Sequence, residues 1–154
     1  MGKIDSRLAE LGITLPQAAK PVANYVPWVR TGNLVFISGQ GPISGGAVAY
    51  PGCLGANVTL EDGIKSARLC ALNVLAQLKD ACGGDLDRVK RVVKLLGFVN
   101  STPNFKDHPK VINGASDLMV EVFGDKGRHA RSAVASPSLP MGISTEVEAV
   151  IEIE

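Results

Sequence analysis

Apolar positions fall at helical spacing over two long stretches of this chain. Between Thr59 and Ala81, Ile64, Ala67, Ala71, Val74, Leu75 and Leu78 form one stripe. Thr59-Leu-Glu-Asp62 has the form of a capping box, with Asp in place of the usual Glu or Gln, and Gly83-Gly84 supplies the stop. A second helix is expected from Asp107 to Pro109 up to Gly124. Asp is a good cap, Pro is tolerated in a first turn, and Val111, Ile112, Ala115, Leu118, Met119, Val122 and Phe123 make its inward face. A short helix capped by Asp5 or Ser6, carrying Leu8 and Leu11 and ended by Gly12, precedes them.

Elsewhere the pattern is that of strands. Pro21 to Ser38 reads as two strands joined at Thr31-Gly-Asn33, the first at a sheet edge because it contains Pro27. Leu34-Val-Phe-Ile37 is a continuous apolar run, expected to be buried on both faces. Residues Gly39 to Val58 are rich in Gly and Pro and read as a loop, with a short strand near Ala47 to Ala49. Arg88 to Asn100, Ala130 to Ala135 and Ser144 to Ile153 are the remaining strands. In the last of these Glu146, Glu148 and Glu152 share one face, with Val147, Ala149 and Ile151 on the other. The order helix, two strands, helix, strand, helix, two strands predicts an α+β fold in which both long helices cover one face of a single sheet. The other face is then most economically buried against a second copy of the chain.

A length of 154 residues is that of one domain, 1–154. Sixteen Lys and Arg against fifteen Asp and Glu leave a net charge of +1, without the basic patch that nucleic acid requires. A mean hydropathy of +0.16 is slightly oily and favours association. No apolar run reaches membrane-spanning length and the N-terminus lacks a signal-peptide core, so a cytoplasmic protein is expected. Cys53, Cys70 and Cys82 are odd in number and lack metal-ligand spacing, which predicts reduced thiols. Two separated histidines, His108 and His129, argue against zinc, and Ser38 is not framed as the nucleophile of a serine hydrolase.

Arg131 and Glu146 are the leading chemical candidates. Arg131 sits among small and apolar residues at the start of a strand, where burial demands an anionic partner, and its fork suits a carboxylate. Glu146 lies just past the Pro140-Met-Gly-Ile143 bend, near the Arg131 end of what reads as a hairpin-like return. Partial burial there would raise its pKa and let it activate water. Ser38-Gly-Gln-Gly-Pro42 reads as a tight turn in which a ligand could approach the backbone. Asn113, inside Val111-Ile-Asn-Gly-Ala115, is an unusual helix residue that could point at a pocket, and the Tyr25 hydroxyl could reach a polar ligand.

In chain order, Asn24-Tyr25, Phe36-Ile-Ser-Gly-Gln40 with Pro42, Gly97-Phe-Val-Asn100, Val111-Ile-Asn113, Ala130-Arg-Ser132 and Glu146-Val-Glu-Ala149 resemble the Rid family, also called YjgF-like, which includes the enamine/imine deaminases. The resemblance implies a chorismate-mutase-like fold, assembled as a homotrimer whose sheets form a barrel with sites between subunits. It also implies cofactor-free hydrolysis of a 2-imino or enamine acid, of the 2-aminoacrylate or 2-iminobutanoate type, to the 2-keto acid and ammonia. Arg131 would bind the carboxylate and Glu146 would activate water. Tyr25, Ser38, Gly39, Asn113 and the backbone of Ala133 would line the cavity. Ala133 stands where the deaminases commonly carry Cys, so any thiol role is gone. A noncatalytic trimer that binds small carboxylate metabolites is the alternative, and an endoribonuclease a further one.

Overall fold

The computed structural model describes residues 1–21 and 23–154. Its elements are α1 (Lys3–Glu10), β1 (Trp28–Thr31), β2 (Leu34–Gln40), the small hairpin β3 (Ile43–Ser44) and β4 (Ala47–Val48), α2 (Leu60–Ala81), β5 (Val89–Asn100), α3 (His108–Phe123), β6 (Ala130–Ser136) and β7 (Thr145–Ile153). The main sheet has five strands in the order β1-β2-β7-β5-β6. The β5–β6 pair is parallel, because α3 crosses between its two strands, and the other neighbours are antiparallel. This is the expected α+β arrangement.

Both long helices lie on one face. All seven residues expected on the inward face of α3 are buried, and Ala67, Ala71, Val74, Leu75 and Leu78 of α2 are fully buried with them. Ile64 is only half-buried, since Gly63, Ser66 and Cys70 take the inward positions near the start of α2. Thr59 caps α2 as its sequence suggests, accepting a 3.1 Å bond from the Asp62 N–H. Two glycines set the layer spacing. A methyl on Gly97 of β5 would come within 2.6 Å of Ile112, and one on Gly114 would collide with the Ile64 carbonyl of α2.

Three expectations need correction. Neither Asp5 nor Ser6 caps α1. The helix starts at Lys3, and the cap comes from across the chain, where the Asp87 carboxylate accepts 2.9 Å bonds from the Lys3 and Ile4 N–H groups. Those two bonds hold the Asp87 carboxyl below its usual range. The strand expected from Pro21 begins only at Trp28, because Pro27 breaks the ladder; its part at residue 22 lies outside the described residues. Leu34-Val-Phe-Ile37 is not buried on both faces: Val35 and Ile37 face the helices at 0% and 2% exposure, while Phe36 is 45% exposed. Helices cover one face only, so the strand alternates.

Candidate active site

Cross-strand registers decide which site residues share a face. On the helix side, one row runs Trp28, Ile37, Ala149, Leu95 and Arg131, and the next contains Val147, Gly97 and Ala133. On the open side, the corresponding rows are Val29, Phe36, Val150, Lys94 and Ala130, and then Glu146, Phe98 and Val134. Arg131 and Glu146 therefore lie on opposite faces of the same sheet, with β5 between their strands. The hairpin-like return expected for them does not exist, because β6 and β7 both pair with β5 rather than with each other.

Arg131 is half-buried at the outer edge of the sheet, and its side chain turns toward α3. Its Nη1 donates to Asn113 Oδ1 at 2.7 Å and to Ser116 Oγ at 3.2 Å. Ser116 Oγ is also 2.9 Å from His129 Nε2, and His129 Nδ1 is 2.6 Å from the Gly127 carbonyl. Among the described residues, no carboxylate lies within ion-pair distance of Arg131. An arginine held by neutral acceptors keeps its charge available for an external anion. A concavity of about 310 Å³ lined by Ser116, Asp117, Val120, Arg128, His129 and Arg131 opens beside it. Ala133, two residues on and on the same face, packs partly against the core. Because β6 is an edge strand, alternate N–H groups in it point away from β5.

Glu146 stands at the start of β7, over a bulge. Ile37 pairs with Ala149 and Gln40 with Val147, so Ser38 and Gly39 together oppose the single Glu148. The Glu146 carboxyl lies against Gly39 so closely that a methyl there would be 2.7 Å from its Cδ. Glycine is the residue that admits this approach. Burial, and then the negative charge of Glu148, hold the Glu146 carboxyl above its ordinary value. Ser38 Oγ donates to the Pro27 carbonyl at 3.1 Å, which ties the bulge to the segment before β1. Tyr25 is in that segment, 55% exposed.

A buried polar cluster fixes the start of β7. Ser66 Oγ is 2.6 Å from Thr145 Oγ1, Ser144 Oγ donates to Ser66 at 2.7 Å, and the Asn100 amide donates to the carbonyls of Gly52 and Ile143 at 3.1 and 3.2 Å. The expected residues thus fall into two separate groups, Asn113, Arg131 and Ala133 on the helix side and Ser38, Gly39 and Glu146 at the bulge, which one chain does not bring together. Sequence reasoning missed Ser116, His129 and Glu148. Only His129, two residues before Arg131, carries a signal, and the sequence raises it solely as a metal ligand.

The fold defines a class before any particular relative. Residues 5–152 match the family described as YjgF/chorismate mutase-like, putative endoribonuclease, and the chain belongs to that family. It is 49% identical over 153 residues to Protein TCP17 of Trypanosoma cruzi, covering 99% of this chain and 95% of that one. It is 28% identical over 143 residues to a 2-iminobutanoate/2-iminopropanoate deaminase of Dermatophagoides farinae, covering 92% and 95%. The crystal structure of the protein Atu1372, of unknown function, from Agrobacterium tumefaciens superposes with a TM-score of 0.92 at 49% identity, covering 98% of this chain and 92% of that one.

Proposed function

We propose that this protein is a hydrolytic deaminase of reactive 2-imino acids and their enamine tautomers, and that each site forms between two copies of the chain. The observation that carries the reading is Arg131: a half-buried arginine fixed by Asn113 and Ser116, with no carboxylate within ion-pair distance of it among the described residues. The similarity to a 2-iminobutanoate/2-iminopropanoate deaminase supports the same chemistry. The opposite-face placement of Arg131 and Glu146 supports a shared site, as does the apolar open face on which Val29, Phe36 and Val134 are 53%, 45% and 43% exposed. A closed trimer brings the helix-side edge of one copy to the open face of the next.

In such a site Arg131 holds the substrate carboxylate by two parallel hydrogen bonds, which fixes the imine carbon beside Glu146. An enamine first tautomerises, gaining a proton from water at its β carbon and returning one from nitrogen to water, to give the imine. The Glu146 carboxylate takes a proton from water as the water oxygen bonds to the imine carbon, and returns that proton to nitrogen. The carbinolamine then collapses: its hydroxyl proton passes through Glu146 to nitrogen, the C–N bond breaks, a C=O bond forms, and ammonia leaves. The balance is one imine and one water in, one keto acid and one ammonia out. A carboxyl held above its ordinary value is suited to both proton transfers. The Ser38–Gly39 bulge keeps the carboxylate against the backbone, and outward N–H groups of β6 around Ala133 are available to the substrate.

The test follows decay of imines generated in situ by an amino-acid oxidase. Wild type accelerates decay, and Arg131→Ala lowers kcat/KM by about 10²-fold or more, as expected when a charge-assisted pair to substrate is lost. Equal decay with either protein and with none would overturn the reading. Binding of 2-keto acids without acceleration would favour a noncatalytic metabolite binder instead.

A further inference from the structure

We infer that Ser116 and His129 are positioning residues that fix which edge of Arg131 is presented to a carboxylate. This rests on the reading of Arg131 as the carboxylate anchor and deepens it. The Gly127 oxygen can only accept, so the 2.6 Å contact places the proton on His129 Nδ1. In the neutral imidazole Nε2 is then an acceptor, and at 2.9 Å it takes the Ser116 hydroxyl proton. With its proton so directed, Ser116 Oγ turns a lone pair to Arg131 Nη1, 3.2 Å away. Asn113 Oδ1 takes the second proton of the same nitrogen at 2.7 Å. Both Nη1 protons are thereby committed.

What remains is the Nε–H and both Nη2–H groups, of which the Nε–H and the nearer Nη2–H lie side by side and parallel, the pair that grips a carboxylate in bidentate fashion. The chain that sets this orientation is anchored on closely packed backbone, since Gly127 is buried so tightly against α3 that a methyl there would collide with the Met119 carbonyl. Asn113, expected to line the cavity, has its side-chain oxygen engaged by Arg131 and acts in the same way. Specificity follows: the site prefers a planar monocarboxylate approaching side-on, and it loses that preference when the guanidinium is free to rotate.

The experiment measures 2-oxobutanoate binding by calorimetry at pH 8 alongside imine turnover, with thermal melting to confirm that each variant folds. Binding does not depend on turnover, so failure of the deaminase reading and failure of this one are told apart. Ser116→Ala and His129→Ala are expected to weaken binding about tenfold and to raise KM while kcat changes less, the loss of a hydrogen bond to a charged group. His129→Gln keeps an acceptor where Nε2 was and Ser116→Thr keeps the hydroxyl, so both remain within about threefold of wild type. The Ser116→Ala/His129→Ala double variant is no weaker than either single one, since both break the same chain. In ¹⁵N spectra His129 carries its proton on Nδ1. Wild-type binding in both alanine variants, equal losses for His129→Gln and His129→Ala, a proton on Nε2, or no carboxylate binding by wild type would each overturn the inference.

Discussion

Gly39→Ala separates the chemistry of the site from the stability of the fold. The added methyl would sit 2.7 Å from Glu146 Cδ and 2.8 Å from its Oε1, against the 3.4 Å at which ordinary contact begins. The carboxylate must therefore retreat by about 0.7 Å, and misplacing a reacting group by about 1 Å costs on the order of 10²-fold in rate. A fall in kcat/KM of roughly 50-fold is expected. Stability responds differently, because what yields is the far end of a flexible side chain. Gly39 lies outside the left-handed region, so alanine is tolerated by the backbone and restricts the unfolded chain, worth about 0.4–1 kcal/mol in favour of folding. Off-rotamer strain in Glu146 offsets this by about 0.5–1.5 kcal/mol. The net change is expected within about 1 kcal/mol by urea unfolding, while imine decay reports the activity. An alanine variant with wild-type kcat/KM would refute the placement of Glu146 at the reacting carbon. A stability loss above about 3 kcal/mol would refute the claim that only a side chain moves.

Two further outcomes follow. Glu146 is held above its ordinary value first by burial and then by Glu148; as the proposed base it must be ionised, so activity is expected to rise with pH through its pKa. Glu148→Gln removes the second cause and moves the acid limb of kcat/KM to lower pH, and an unmoved limb assigns it to another group. Among the thiols, burial pushes Cys70 up to about 12 and raises Cys82, whereas Cys53 is partly exposed. A disulfide reagent at pH 8 is expected to titrate one thiol per folded chain and three in urea, and rapid reaction of all three in the folded protein would contradict the buried placement.

Periodicity made much of the fold legible, and physics explains where it stopped. The stripe Val111 to Phe123 and the turn at Gly32-Asn33 are local patterns with local causes, and both stand as read. The cap on α1 was invisible because its acceptor, Asp87, is brought to Lys3 only by folding. The relation of Arg131 to Glu146 was misread for a similar reason. Chain adjacency of two strands says nothing of a third inserted between them, and β5 carries Arg131 and Glu146 to opposite faces. Ser116 and Glu148 gave no warning because a serine on a helix and a glutamate on a strand are ordinary. Their roles come from a neighbour 3.2 Å away in one case and a shared sheet face in the other.

A site completed by two copies can be measured directly by complementation. Arg131→Ala and Glu146→Gln chains, each inactive alone, are co-expressed in equal amounts and assayed for imine decay. If each site takes its arginine from one copy and its glutamate from the next, about one quarter of sites regain both residues in a random mixture, and about a quarter of wild-type activity returns. Activity that stays at the level of the single variants in mixed oligomers would contradict a site shared between copies.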